Sequence, residues 1–210
     1  MTGKLIIARH HESEWNKLGL WTGWHDSHLT EYGFEKSAEM GDLLQGMHID
    51  QVFASMEVRT IETLSCMLNE MKLERVPATH SAALNERDYG EYTGKNKWDM
   101  EKLVGKETFD HIRRDWDYPV PGGETLKMVS ERVVPYFLSE ILPLIKDGKN
   151  VLVVAHGNSL RALMKYLESS PDEDISKLEM LFGAIVIYDL DQDGHMLTKE
   201  VRQVTSDVKA

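Results

Sequence analysis

Cysteine is nearly absent: the 210 residues contain one, Cys66, so no intramolecular disulfide framework, redox dithiol or zinc ribbon can be assembled. That scarcity points to a reducing, cytoplasmic setting. Long apolar runs are missing as well. The chain opens with only a short one, Leu5 to Ala8, before Arg9, too few residues for a signal-peptide core, and no later run reaches membrane-spanning length. Export by that route and insertion in a bilayer are therefore not expected. Positive charge is in deficit, with 24 Lys+Arg against 35 Asp+Glu and a net charge of −11. This balance argues against a surface for nucleic acid or anionic membrane, and any anionic ligand has to be held by a local cationic pocket. Internal repeats, low-complexity tracts and linkers are lacking too, so residues 1–210 are expected to form a single domain. What is there, 41% hydrophobic and 28% charged residues, is the composition of a globular protein that can bury its own core.

Apolar patterning then divides the chain. Leu5 to Ala8, Gln51 to Ala54 and Asn150 to Ala155 are continuous apolar runs of the kind buried on both faces of a sheet. Each is followed by a helical pattern. Thr30 is a candidate N-cap for a helix running through Ala38 and Leu44 to Gly46. Val58 to Met71 carries Ile61, Leu64, Met67, Leu68 and Met71 at three- and four-residue steps, and Ser159 to Leu167 follows the last strand directly. Between them the sequence predicts a strand over Thr79 to Leu84, a polar segment from Asn85 to Gly94, and helices near Trp98 to Val104, Thr108 to Asp115 and Thr125 to Leu142. Ala184 to Leu190 and Leu197 to Val204 flank the turn cluster Asp191-Gln192-Asp193-Gly194, which predicts an antiparallel hairpin. The sum is an α/β fold, a mostly parallel central sheet flanked by helices on both faces, with a C-terminal hairpin. In such folds ligands collect beyond the carboxyl ends of the strands.

Two histidines stand at such ends, His10 after the first strand and His156 after the third long apolar run. Arg9 beside His10, Arg59 early in a helix, and Gly157 opening another supply guanidinium forks and free backbone N–H groups, a cradle suited to phosphate. With these residues on view, the segments Leu5 to His10, Gly19-Leu20-Trp21-Thr22-Gly23-Trp24, Leu84-Asn85-Glu86-Arg87-Asp88-Tyr89-Gly90 and Ala155-His156-Gly157-Asn158-Ser159-Leu160-Arg161-Ala162 closely resemble those of the cofactor-dependent phosphoglycerate mutases, in the histidine phosphatase superfamily. The likeness spans nearly the whole chain and follows the compact form of these enzymes.

The resemblance implies a phosphoglycerate mutase-like fold and interconversion of 3-phosphoglycerate and 2-phosphoglycerate through a phosphohistidine, primed by 2,3-bisphosphoglycerate and without a metal. It implies that His10 is the nucleophile, that Arg9, Arg59 and His156 neutralise the phosphoryl oxygens, and that Glu86 handles the proton of the substrate hydroxyl. Lys97, Arg113 and Arg114 would bind the far end of the substrate, with Ser13, Asn16, Thr22, Gly23, Tyr89, Gly157 and Asn158 completing the pocket. Partners would be small phosphoglycerates, with the chain a monomer or small homo-oligomer. His11 departs from the family, which has glycine there, as does Phe182-Gly183-Ala184-Ile185, where Thr-Gly-Val-Pro is usual. An imidazole at position 11 could crowd the pocket, add a proton donor or displace His10. Two alternatives therefore stand beside the mutase: a metal-independent phosphatase of small esters, and a phosphometabolite-binding protein impaired by His11. Asp189 to Gly194 with Glu200 has the spacing of an EF-hand loop, but the preceding residues read as a strand and a hairpin turn is expected. His25-Asp26-Ser27-His28 lacks a clear third ligand for a metal.

Overall fold

In the computed structural model, which describes residues 2–73 and 75–205, the first apolar run forms β1 (Lys4–Arg9). Its end leads into a one-turn helix, α1 (Glu14–Lys17), and then α2 (Glu31–Asp42), whose Thr30 hydroxyl accepts the Gly33 N–H at 3.0 Å as the sequence predicts. β2 (Gln51–Ala54) and α3 (Val58–Glu70) repeat the alternation. The strand expected over Thr79 to Leu84 is shorter and earlier, β3 (Ala78–His80), because Ser81 caps a 3₁₀ turn at Ala82–Leu84. After the polar segment come α4 (Lys97–Val104) and α5 (Lys106–Arg114), hinged at Gly105. The long helix expected from Thr125 is broken into α6 (Leu126–Tyr136), a π-helical turn over Phe137–Ile141, and α7 (Leu142–Lys146). Pro135 and Pro143 explain the break, since each removes a backbone donor and displaces the preceding turn. β4 (Val151–Ala155), α8 (Gly157–Leu167) and the hairpin β5 (Ala184–Leu190) and β6 (Met196–Gln203) complete the chain.

The strands form one sheet in the order β3-β2-β4-β1-β5-β6. β3, β2, β4 and β1 are mutually parallel, and β5 and β6 are antiparallel additions. Strand alternation sends side chains to opposite faces. Leu5, Ile7, Val151, Val153 and Val186 pack into one core with α6 and α8, while Ile6, Ala8, Val52, Leu152 and Ile187 face the other core with α2 and α3. A separate small cluster of Trp21, Phe109, Ile112 and Val120 supports α5. β1 and β4 are neighbours in register, with Arg9 opposite Ala155. That pairing brings His10 and His156 side by side at the carboxyl edge.

The EF-hand-like loop is a turn. The Asp191 carboxylate accepts the N–H groups of Asp193 at 2.9 Å and His195 at 2.8 Å, closing the hairpin. In the His25 to His28 cluster, Trp15 stacks on His25, Asp26 accepts the Val58 N–H, and His28 pairs with Glu62. Among the described residues no group of three or more His, Cys, Asp or Glu side chains is placed to hold a metal ion, and no helix is long and apolar enough to cross a membrane.

Candidate active site

β1 ends at Arg9, so His10 leaves the sheet as the backbone turns away, and its N–H bonds the Ala155 carbonyl at 3.2 Å. Its Nδ1 lies 2.6 Å from the carbonyl oxygen of His11. A carbonyl only accepts, so Nδ1 carries the proton and Nε2 is left with a lone pair. Burial holds His10 well below the usual imidazole range, and His156, Arg59 and Arg9 add to that. At neutral pH the ring is uncharged.

Around it lie buried nitrogens without partners among the described residues: Arg9 Nε, Arg59 Nε and His156 Nδ1. Buried donors are rarely left unpaired, and a group of them beside one imidazole has the character of an anion site. Arg9 is held by the Met180 carbonyl at 2.6 Å and lies 3.7 Å above the Phe182 ring. A Cβ on Gly157 would stand 3.2 Å from the Arg9 guanidinium carbon, so glycine lets α8 begin against it. Arg59, from the first turn of α3, donates to the Gly23 and His25 carbonyls at 2.9 and 3.0 Å. The His156 ring meets the His10 ring edge-on, with centroids 4.9 Å apart.

Behind this shell sits Glu57, which sequence reasoning passed over. It is 3% exposed, pairs with Arg59 at 3.2 Å and with His156 Nε2 at closer range, and accepts the Glu86 N–H at 3.0 Å. Burial alone would raise its pKa, yet His156, Arg59 and the Glu86 N–H together hold it down at about 2. With Glu57 and Ser55 at Nε2, the free Nδ1 of His156 is the nitrogen left for a ligand. Burial keeps His156 below its ordinary range despite Glu57. An anion at Nδ1 would favour the protonated ring.

A cleft joins this group to a second set of cations. Arg9, His10, Arg59, Gly157, Asn158, Glu86, Tyr89, Asn16, Thr22 and Gly23 line it together with Lys97, Arg113 and Arg114, so one cavity brings together thirteen of the fifteen residues singled out from the sequence. Glu86 Oε1 accepts the N–H groups of Arg87 at 2.7 Å and Asn158 at 3.2 Å. The Asn158 amide donates to the Tyr89 hydroxyl at 2.8 Å. Ser13 and His156 lie behind the lining. Ser13 is fully buried and caps α1, its hydroxyl donating to Asn16 Oδ1 at 2.9 Å, so it orients Asn16 from behind. Arg161 also lines the cleft although no role was read for it, and its guanidinium donates to the Leu178, Arg114 and Ile175 carbonyls. Its place in the Ser-Leu-Arg-Ala segment was the available signal.

His11 does not crowd the cleft. Its side chain is fully buried and does not line the cleft, lying edge-on to Tyr32 at 5.4 Å and beside Phe182 at 6.3 Å. Gly183, at φ +68°, makes the room, since a Cβ there would stand 2.7 Å from His11 Cδ2. His11 thus packs beside Phe182, another residue that departs from the family pattern. Neither ring nitrogen of His11 has a partner among the described residues, and burial, with Lys36 and Arg9 nearby, lowers its pKa to about 4. A histidine buried neutral stabilises the fold above its unfolded pKa of about 6.5, and that stability is lost as pH falls toward 4. H11F, which keeps a ring without the titration, should therefore lose about 2 kcal/mol less than wild type between pH 7 and pH 5 in chemical denaturation.

Lys97 opens α4, and burial with Arg113 and Arg9 nearby lowers its pKa to about 8. The free protein loses that cation as pH rises through 8. KM for an anionic substrate should rise severalfold from pH 7 to pH 9 with kcat little changed, and K97R should flatten the profile. A kcat-only effect would remove Lys97 from binding.

The sequence profile of the histidine phosphatase superfamily (branch 1) matches residues 5–201. The chain belongs to this superfamily. A 2,3-bisphosphoglycerate-dependent phosphoglycerate mutase of Rhodopseudomonas palustris is 46% identical over 197 residues, covering 93% of this chain and 95% of that one. A phosphoglycerate mutase from Bacillus anthracis superposes with a TM-score of 0.74 at 26% identity, covering 97% and 92% of the two chains. The α-ribazole phosphatase of Shigella flexneri shares the superfamily fold, with a TM-score of 0.78 at 24% identity over 97% of this chain and 96% of that one.

Proposed function

We propose that the chain is a 2,3-bisphosphoglycerate-dependent phosphoglycerate mutase, an isomerase of glycolysis and gluconeogenesis that interconverts 3-phosphoglycerate and 2-phosphoglycerate. The observation that carries this reading is the number of cations gathered in one cleft with His10. A neutral His10 among unpartnered buried nitrogens shares the cleft with three further cations, Lys97, Arg113 and Arg114, more positive charge than a singly phosphorylated ester requires. The residues fit a ligand with two anionic groups, and 2,3-bisphosphoglycerate supplies the phosphoryl group that first loads His10.

His10 Nε2 attacks phosphorus while Nδ1–H stays on the His11 carbonyl, which receives the charge that develops on the ring. Arg9, Arg59 and protonated His156 meet the equatorial oxygens, doing what metal ions do in nucleotide-dependent transfer. Glu86, oriented by two N–H groups, takes the proton from the attacking substrate hydroxyl and returns one to the leaving oxygen. Asn16, Thr22, Gly23, Tyr89, Gly157 and Asn158 line the space in which the intermediate turns over. The chain works as one domain, a cytoplasmic monomer or small homo-oligomer.

Phosphorus NMR of the protein with 3-phosphoglycerate and chelator, with and without a trace of 2,3-bisphosphoglycerate, tests this. The expected result is 2-phosphoglycerate, formed faster with the bisphosphate. Free phosphate alone would favour a phosphatase, and no change would favour a binding protein.

A further inference from the structure

Two carboxylates line the cleft, and they are differently occupied. Glu86 is held by backbone N–H groups, whereas Glu179 reaches from the rim and accepts from Arg114 Nη1 at 2.6 Å. The backbone on either side of Glu179 is pinned to arginines of the same site. Arg161 Nε donates to the Leu178 carbonyl at 2.8 Å and Arg9 to the Met180 carbonyl at 2.6 Å. Glu179 therefore stays at the rim whatever its side chain does. The side chains of the pair are 32% and 51% exposed for Arg114 and Glu179, and an ion pair that wet is weak enough for a ligand anion to displace.

We propose that Glu179 sets how tightly the cleft holds a doubly phosphorylated ligand relative to a singly phosphorylated one, by competing with the ligand's outer anion for Arg114. This rests on the mutase reading for its purpose. The bisphosphorylated intermediate has to stay in the cleft yet release its outer group so that the two ends can change places. At a bare Arg114 that release breaks an ion pair outright. With Glu179 alongside, one carboxylate replaces the departing anion, and the step becomes an exchange. The fixed negative charge also opposes the bisphosphate more than the monophosphate, because each phosphate brings about two negative charges.

The test uses E179Q, which keeps side-chain size without charge, and E179D, which keeps the charge. Calorimetry on the full chain with phosphonate analogues of 3-phosphoglycerate and 2,3-bisphosphoglycerate, which cannot transfer a phosphoryl group, reads the ratio of the two Kd values. E179Q is expected to tighten the bisphosphonate about fivefold and the monophosphonate less than about twofold, an effect that shrinks at high salt. E179D should keep the wild-type ratio. An equal shift for both ligands, no shift, no binding of either by wild type, or an E179D shift as large as that of E179Q overturns the assignment. Conversion of 3-phosphoglycerate by wild type, measured separately, judges the mutase reading alone: absent conversion with a shifted ratio would sink that reading and leave Glu179 assigned.

Discussion

Replacing His10 with alanine is expected to lower turnover by roughly 10⁴-fold or more and to abolish the acid-labile phosphoenzyme, because the neutral imidazole proposed as the nucleophile is removed. The variant should still fold. Its ring is buried against His156 and Phe182, and truncation leaves a small cavity but also takes away a group that must be kept uncharged. Labelling from radioactive 2,3-bisphosphoglycerate, followed by peptide mapping, decides the matter. Label on His10 in wild type and none in H10A is the expected pair of results. Label persisting in H10A would move the nucleophile elsewhere, and label on His11 would contradict a side chain that points into the niche of Tyr32 and Phe182.

A second large effect is expected at Glu57. E57Q retains the shape but removes the charge that matches Arg59, leaving a guanidinium that is 1% exposed without its counter-ion. Breaking one side of a buried pair costs about 3–5 kcal/mol. The same substitution unsettles His156, whose Nε2 it holds, so phosphorylation of His10 should slow by roughly 10²-fold or more. The sign with pH follows from the depressed pKa. Stability contributed by Glu57 is complete above its ordinary value of 4.5 and is lost as pH falls toward about 2. Denaturant titrations of wild type and E57Q should therefore differ at pH 7 and converge in acid. Equal stability at pH 7 together with normal phosphorylation would reduce Glu57 to an incidental neighbour.

Much of the frame was legible without coordinates. Continuous apolar runs marked β1, β2 and β4 because strands covered on both faces must be apolar at every position, and three- to four-residue spacing marked α3 and α8. The prediction missed at β3 and in the α6 to α7 stretch, where Ser81 and the prolines at 135 and 143 impose local hydrogen bonding that an apolar pattern does not report. Thirteen of the residues chosen for chemistry line one cleft; the parallel sheet carries Arg9, His10, Gly157 and Asn158 there from the ends of neighbouring strands, while Lys97, Arg113 and Arg114 come from α4 and α5.

The remaining questions turned on contacts between residues distant in the chain. Glu57 and His156 are far apart in sequence, and their pairing exists only because β2 and β4 are neighbours in the sheet. Glu179 gained its partner when the segment after α8 folded back onto α5. His11 was chemically ambiguous as a letter beside His10. Its orientation was settled by room beside Gly183 and an aromatic niche from Tyr32 and Phe182. Residue order and patterning specify which groups reach the sheet edge, because strand and helix periods are local properties. Which carboxylate matches which cation, and which imidazole faces the ligand, is a matter of packing, since charge pairing and burial depend on distances that only the closed chain establishes.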